Sequence, residues 1–202
     1  MRPKFLIALG IALLATFAAA QENRSEINLQ GTGLFTKDAT GNGNLQRSSE
    51  TGGFLVGYRY HFNRWFAAET VYGYDRNTQQ FFAPASVSRI QSNVHQATGG
   101  LVVGLPTPRN LRISPYVLAE GGALVFDPTH NSFGTVVGAQ RQATGVFVYG
   151  DGADFPIVRH LSLRAEYRGL VYSTPDFGLR SLNTNTITHV AQPSPVSSFT
   201  SN

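Results

Sequence analysis

The stretch HLSLRAEYRGLVY, residues 160–172, shows two different patterns when every second residue is considered. Strand side chains alternate between the two faces of a sheet, so one face of this segment is apolar and the other is ionic. The ionic face carries Arg164, Glu166 and Arg168, a carboxylate between two guanidiniums. The apolar face carries Leu161, Leu163, Ala165, Tyr167, Gly169 and Val171. The fold depends on which of these faces points inward.

The first residues have the features of a secretory signal peptide. Arg2 and Lys4 precede a short apolar run, and three alanines end at Ala20. A basic start, a short apolar segment and a small-residue cleavage site are typical of exported proteins. We therefore predict a signal peptide at residues 1–20 and a β-barrel domain at residues 21–202; the alternative is an uncleaved anchor helix.

Composition excludes several function classes. Without the two basic residues of the predicted signal peptide, 14 basic residues face 12 acidic ones. No basic stripe is present, so we expect no nucleic-acid partner. The chain has no Cys, and its five His residues are scattered without metal-ligand spacing. We therefore expect no disulfide, no metal and no cofactor.

Eight alternating segments follow, each near the roughly 9–11 residues that a tilted strand needs to cross a bilayer. They span residues 25–36, 51–62, 65–74, 93–105, 113–126, 143–155, 160–172 and 185–196. Short connections at residues 63–64, 106–110 and 156–159 take turns with long polar ones at 37–50, 75–92, 127–142 and 173–184. This alternation is typical of outer-membrane barrels. It predicts an all-β fold, an eight-stranded antiparallel up-and-down transmembrane β-barrel.

Two orientations of the strands compete. With the apolar face inward, the chain is a soluble lipocalin-like carrier; with the ionic face inward, it is a membrane barrel. An Arg on the lipid face near the midplane costs about 2–4 kcal/mol, which favours the second arrangement. Aromatics at both strand ends predict two interface girdles, one with Tyr58, Tyr60, Phe62, Trp65 and Phe66 and the other with Tyr72, Tyr74, Phe126 and Tyr172. Because of Glu120, we also place its side of the fifth strand inward.

Charged residues on the inward faces form the candidate site. We predict a paired lumen network, structural or gating in role, made of Arg59, Glu69, Glu120, Arg164, Glu166 and Arg168. Buried charges require partners, so these groups are expected to pair across strands. The role predicted from this is structural or weakly porin-like.

Four segments carry a resemblance to a known family: FAAETVYGYDRNTQ, NVHQATGG, SPYVLAEGGALVFDP and VYGDGADFPIVRHLSLRAEYRGLVYSTPDF. They resemble the OmpA-like outer-membrane barrel families of Gram-negative bacteria over nearly the whole predicted mature chain. The resemblance implies a cell-envelope barrel in the outer membrane, inserted by the barrel-assembly machinery. The motifs identify the fold but hardly indicate an activity, and we expect no residues to remain for the peptidoglycan-binding domain of larger OmpA proteins.

The end of the chain departs from that family pattern. Such barrels usually finish on an aromatic residue, whereas this chain ends VAQPSPVSSFTSN. Either Phe199 supplies that signal or this end is atypical. Pro193 and Pro195 cannot donate to a strand ladder, so closure between the first and last strands is the open point of the predicted barrel.

We expect a monomer in contact with outer-membrane lipid, without enzymatic activity. A rim enzyme that hydrolyses lipid or peptide is the alternative. Its candidate polar residues in the long connections are Asp127, His130, Ser132, Ser173 and Asp176.

Overall fold

The computed structural model describes residues 24–41, 44–83, 86–108, 112–129, 138–158, 161–179 and 184–201. The predicted signal peptide, His130 and Ser132 lie outside these residues. The described chain forms ten strands: β1 (Ser25–Thr36), β2 (Ala39–Gly41), β3 (Asn44–Ser48), β4 (Thr51–His61), β5 (Phe66–Ala83), β6 (Ser86–Gly104), β7 (Ser114–Pro128), β8 (Gln142–Val158), β9 (Leu161–Ser173) and β10 (Ile187–Ser201).

Eight of these strands form a closed antiparallel barrel, which confirms the predicted fold class. The wall runs β5-β4-β1-β10-β9-β8-β7-β6, and pairing of β5 with β6 closes it. The remaining two strands form a small hairpin, β2–β3, whose second strand pairs with the end of β5. In such barrels the short connections between wall strands lie on the periplasmic side and the long ones on the outer side. The β2–β3 hairpin is part of the long connection between β1 and β4, so it lies at the outer end.

The wall alternates as the sequence predicted, with apolar side chains outward. On β1, Asn28 is fully buried while its neighbour Leu29 is 55% exposed. On β9, Arg164 is fully buried and Leu163 is 45% exposed. An apolar exterior around a polar interior is the arrangement that a bilayer requires. The soluble-carrier alternative is therefore wrong.

Several predicted boundaries were wrong. The connection predicted at residues 75–92 is mostly strand, because β5 and β6 pair continuously from Phe66/Val103 to Ala83/Ser86. The connection at 37–50 contains the β2–β3 hairpin, and β8 extends through most of the turn predicted at 156–159. In the first two of these places, polar residues belong to strands that project beyond the apolar wall, where both faces can be polar.

Two residues assigned to the outer girdle face the lumen instead. Phe126 and Tyr172 are 1% and 5% exposed, whereas Tyr72 is 46% exposed on the outer wall. Phe126 follows Glu120 at an even spacing on β7, so the two side chains share the inward face. The predicted facing of this strand, based on Glu120, is thus correct, and the girdle assignment contradicted it.

The barrel closes between β1 and β10 across an interrupted ladder, which we call the seam. Pairing runs from Ser25/Ser201 to Gln30/Val196 and resumes in the same register at Phe35/Ala191. The unpaired segment of β10 contains both prolines, while β10 pairs with β9 without interruption there. The prolines therefore leave the barrel closed but remove donors on the β1 side.

Candidate functional site: a charged network in the lumen

The inward faces of four strands bring all six predicted network residues into the same buried region. β4 supplies Arg59, β5 supplies Glu69, β7 supplies Glu120, and β9 supplies the remaining three. None of the six is more than 5% exposed, and both arginines of β9 are fully buried. The strand period of two explains this placement, since each residue occupies an inward position of its strand.

Arg168 joins β9 to β7 across the lumen. Its Nε donates to Glu166 Oε1 at 2.7 Å, and its Nη2 donates to Glu120 Oε1 at 2.7 Å. Glu69 Oε2 lies 3.8 Å from the same Nη2. Charge-assisted bonds of this length are among the stronger ones in proteins.

Arg59 connects β4 to its neighbour β5 and to β9 across the lumen. Its Nη2 donates to Glu69 Oε2 at 2.9 Å and lies 3.6 Å from Glu166 Oε2. The guanidinium carbon sits 4.3 Å from the centre of the Tyr116 ring, which gives a cation–π contact. Tyr116 in turn donates its hydroxyl proton to Glu166.

Arg164 reveals two network members that the sequence analysis missed, Glu26 and Asp154. Its Nε donates to Asp154 Oδ1 at 2.6 Å, and its Nη2 donates to Glu26. Glu26 alternates with exposed Ile27 on β1, so the alternation applied to the other strands was a sufficient signal for it. On β8, Asp154 shares its face with buried Val146 and Val148, whereas exposed Asp151 lies on the opposite face.

Neutral side chains complete the carboxylate coordination. Asn28 Nδ2 donates to Glu69 Oε1 at 3.0 Å, and Thr98 Oγ1 donates to Glu120 Oε2 at 2.7 Å. Burying a carboxylate is costly unless it is paired and hydrogen-bonded. Asn28 and Thr98 donate to the carboxylate oxygens that do not accept a short hydrogen bond from a guanidinium.

Carboxylates outnumber guanidiniums in this network. Arg59, Arg164 and Arg168 pair with five carboxylates, those of Glu26, Glu69, Glu120, Asp154 and Glu166. His61 Nε2 lies 3.5 Å from Glu26 Oε2 and adds a positive charge when it is protonated. The excess negative charge lies toward the periplasmic end of the lumen. A cavity of about 300 Å³ at that end is lined by residues that include Glu26 and Asp154.

The outer half of the lumen contains a cluster of buried apolar side chains beside uncharged and acidic polar ones. Its buried side chains include Phe81, Ile90, Leu124, Phe126, Leu170 and Phe177. A cavity of about 10 Å³ lies among several of them. The lumen thus has an ionic layer near the periplasmic end and, above it, an apolar cluster with buried polar side chains such as Asp75, Asn77 and Gln96 beside it.

Three of the rim-enzyme candidates lie within the described residues. Asp127 is the penultimate residue of β7 and Ser173 is the last residue of β9, and the Asp176 carboxylate accepts a hydrogen bond from the Gly178 backbone. In the described part of the chain no group of three or more potential metal ligands comes together. No helix within those residues is long and apolar enough to span a membrane.

An apolar outer wall around a buried ionic lumen defines a transmembrane barrel of the outer-membrane class. The chain belongs to the outer membrane protein β-barrel domain family, which matches residues 6–190. The outer membrane is therefore its location. No curated protein matches the chain by sequence.

Solved structures agree with this fold. OprG of Pseudomonas aeruginosa is 11% identical with a TM-score of 0.61, covering 90% of this chain and 97% of OprG. Neisserial surface protein A is 11% identical with a TM-score of 0.60, covering 87% and 96% of the two chains. Ail of Yersinia pestis, in complex with the heparin analogue sucrose octasulfate, is 19% identical with a TM-score of 0.51, covering 89% and 99%.

Proposed function

We propose that this protein is a monomeric structural barrel of the outer membrane, with no enzymatic role. Its Arg/Glu network holds the wall together from inside and blocks steady flow through the lumen. The barrel-assembly machinery inserts it, and lipid surrounds its apolar wall. Weak ion permeation, by transient rearrangement of network pairs, is the second role that we consider.

The burial of the three guanidiniums carries this proposal. Arg59, Arg164 and Arg168 are at most 1% exposed, and each bonds to at least two carboxylates from different strands. A barrel of eight strands has an interior just wide enough for side chains to fill. Cross-strand pairs of this kind resist separation of the wall, because breaking one leaves an uncompensated buried charge.

Planar-bilayer recordings test the proposal. We expect wild-type protein to give no steady conductance, and at most short bursts. The double variant Arg168→Ala/Glu120→Ala removes a buried pair without changing net charge. The matched control is Arg47→Ala/Asp38→Ala, which removes an exposed pair of 2.9 Å.

The recordings separate the two roles. Silence in all three proteins supports a purely structural barrel. Bursts that change in size or frequency only in the buried-pair variant support weak permeation through the network. Large, steady wild-type conductance that neither variant alters contradicts the proposal, since flow would then bypass the network.

A further inference from the structure

A phenylalanine from a connecting segment occupies the outer end of the lumen. Phe177, between β9 and β10, is fully buried. Its ring centre lies 6.5 Å from that of Phe81 and 6.2 Å from that of Phe126, with interplanar angles of 89° and 84°. Edge-to-face contacts at these distances are favourable for aromatic rings. The lumen thus contains a formed site for a ring, filled by the chain itself.

The backbone is strained where it delivers this ring. Phe177 has a φ of 54°, a left-handed conformation that a bulky residue rarely adopts. Gln142 Oε1 accepts hydrogen bonds from the backbone nitrogens of Asp176 and Phe177, at 3.0 and 2.7 Å. Gln140 N donates to the Phe177 carbonyl at 2.9 Å. Such strain persists only where the surroundings impose it, and it often marks functional sites.

A buried carboxyl group and the ring site share Phe126 as a common neighbour. Asp75 is 5% exposed, its Oδ1 has no hydrogen-bond partner, and it forms no ion pair within the described residues. It lines the cavity of about 10 Å³ together with Phe126, which also contacts Phe177. A buried carboxylate without a cation is costly.

Other polar atoms beside Asp75 also lack partners. Asn77 Oδ1 and Gln96 Nε2 are buried on the lining of the same cavity and have no hydrogen-bond partner among the residues that the structure describes. The guanidiniums of the lumen network bond to other carboxylates, so none of them neutralises the Asp75 carboxylate. We call the region bounded by Phe81, Phe126 and Asp75 the outer chamber.

We propose that the outer chamber is a binding site for a small aromatic amine. The ring of the ligand replaces that of Phe177, and its ammonium group pairs with the Asp75 carboxylate. A cavity of about 10 Å³ holds about one water molecule, so the ligand must displace Phe177 to enter. Phe177 is therefore a built-in competitor, and release of its strained backbone favours the exchange. This site is independent of whether the barrel conducts ions.

Isothermal titration of the full protein in detergent with 2-phenylethylammonium chloride tests the proposal. Phe177→Ala removes the competitor, so we expect it to bind the amine about tenfold or more tightly than wild type, because the ligand no longer has to expel a buried phenyl ring from the lumen. Phe35→Ala, which changes an exposed ring on the outer wall, is the matched control and sets the level of uptake by the micelle.

Charge recognition is tested in the Phe177→Ala background. Adding Asp75→Asn should weaken binding of the amine about tenfold or more but leave binding of neutral 2-phenylethanol unchanged. Glu50→Gln, at an exposed carboxylate, should change neither. Equal weakening of both probes, or of neither, overturns the pairing with Asp75.

A second variant keeps the test valid if Phe177→Ala does not fold. Gln142→Ala removes the side chain that holds the segment and leaves the ring in place, so it should also raise amine affinity several-fold. Affinity no higher than that of Phe35→Ala in every folded variant overturns the ring site.

Discussion

Thr32 on β1 donates its hydroxyl proton to the carbonyl oxygen of Pro193 on β10, with 3.2 Å between the two oxygens. This side-chain bond crosses the seam where the backbone ladder is interrupted. Thr32→Val removes the donor and keeps the shape. We expect it to lower the free energy of unfolding by about 0.5–1.5 kcal/mol, the usual net value of one hydrogen bond. Urea unfolding in lipid vesicles measures this, and Thr32→Ser, which retains the hydroxyl, should behave as wild type.

The prolines themselves give a second prediction. Valines at positions 193 and 195 restore two backbone donors opposite Gly33 and Gly31, whose register is already correct on both sides of the seam. Pro193→Val/Pro195→Val should therefore raise the free energy of unfolding by about 1–3 kcal/mol. Ala191→Val, on the same strand where the ladder is intact, is the control. No gain over that control would mean that the new backbone donors do not form hydrogen bonds with β1, which would contradict the prediction.

The facing of residues was predictable from the sequence. The period of two along each strand shows which residues share a face, and the cost of an Arg against lipid decides which face points inward. These two arguments together placed Arg59, Glu69 and Arg164 inward. Glu26 and Asp154, which the prediction did not include, also lie at inward positions of their strands. Phe126 was assigned to the girdle because it lies near a connection. Its even spacing from Glu120 on β7 shows instead that its side chain faces the lumen.

Pairing was not predictable, because register depends on contacts between distant strands. The sequence could not show that Arg168 bonds to Glu120 on β7, or that Tyr116 contacts Arg59. It also gave no sign of the outer extension of β5 and β6, whose residues are polar and resemble a loop. Strand ends beyond the bilayer lose the apolar alternation that identifies a strand.

Removal of one network partner should be far more damaging than removal of an exposed carboxylate. Glu166 accepts from Arg168 and Tyr116, so Glu166→Ala leaves a buried guanidinium and a hydroxyl without this acceptor. We expect a loss of about 3–5 kcal/mol in the free energy of unfolding. Glu50→Ala, at an exposed position, should change it by at most about 0.5 kcal/mol. Similar values for both variants would contradict a buried, paired network.

The outer wall gives a direct test of orientation in the bilayer. Leu29 is exposed near the middle of β1. Leu29→Arg should lower the free energy of unfolding in vesicles by about 2–4 kcal/mol if this position faces hydrocarbon near the midplane. Leu29→Ala controls for loss of the side chain. An arginine variant no less stable than the alanine variant would place this face in water.

Gly152 gives the last prediction, because it makes room for Tyr116. A Cβ at Gly152 would lie 2.5 Å from the Tyr116 hydroxyl oxygen and 2.9 Å from the Ala165 carbonyl oxygen. Gly152→Ala should therefore push Tyr116 away from Glu166 and cost about 1–3 kcal/mol, as overpacking of a filled interior does. Gly145 lies on the same strand with nothing within 4 Å of its added Cβ. Gly145→Ala should leave stability unchanged or slightly raised. Unfolding in vesicles compares the two, and equal stability of both variants would show that the Tyr116 ring has room to move.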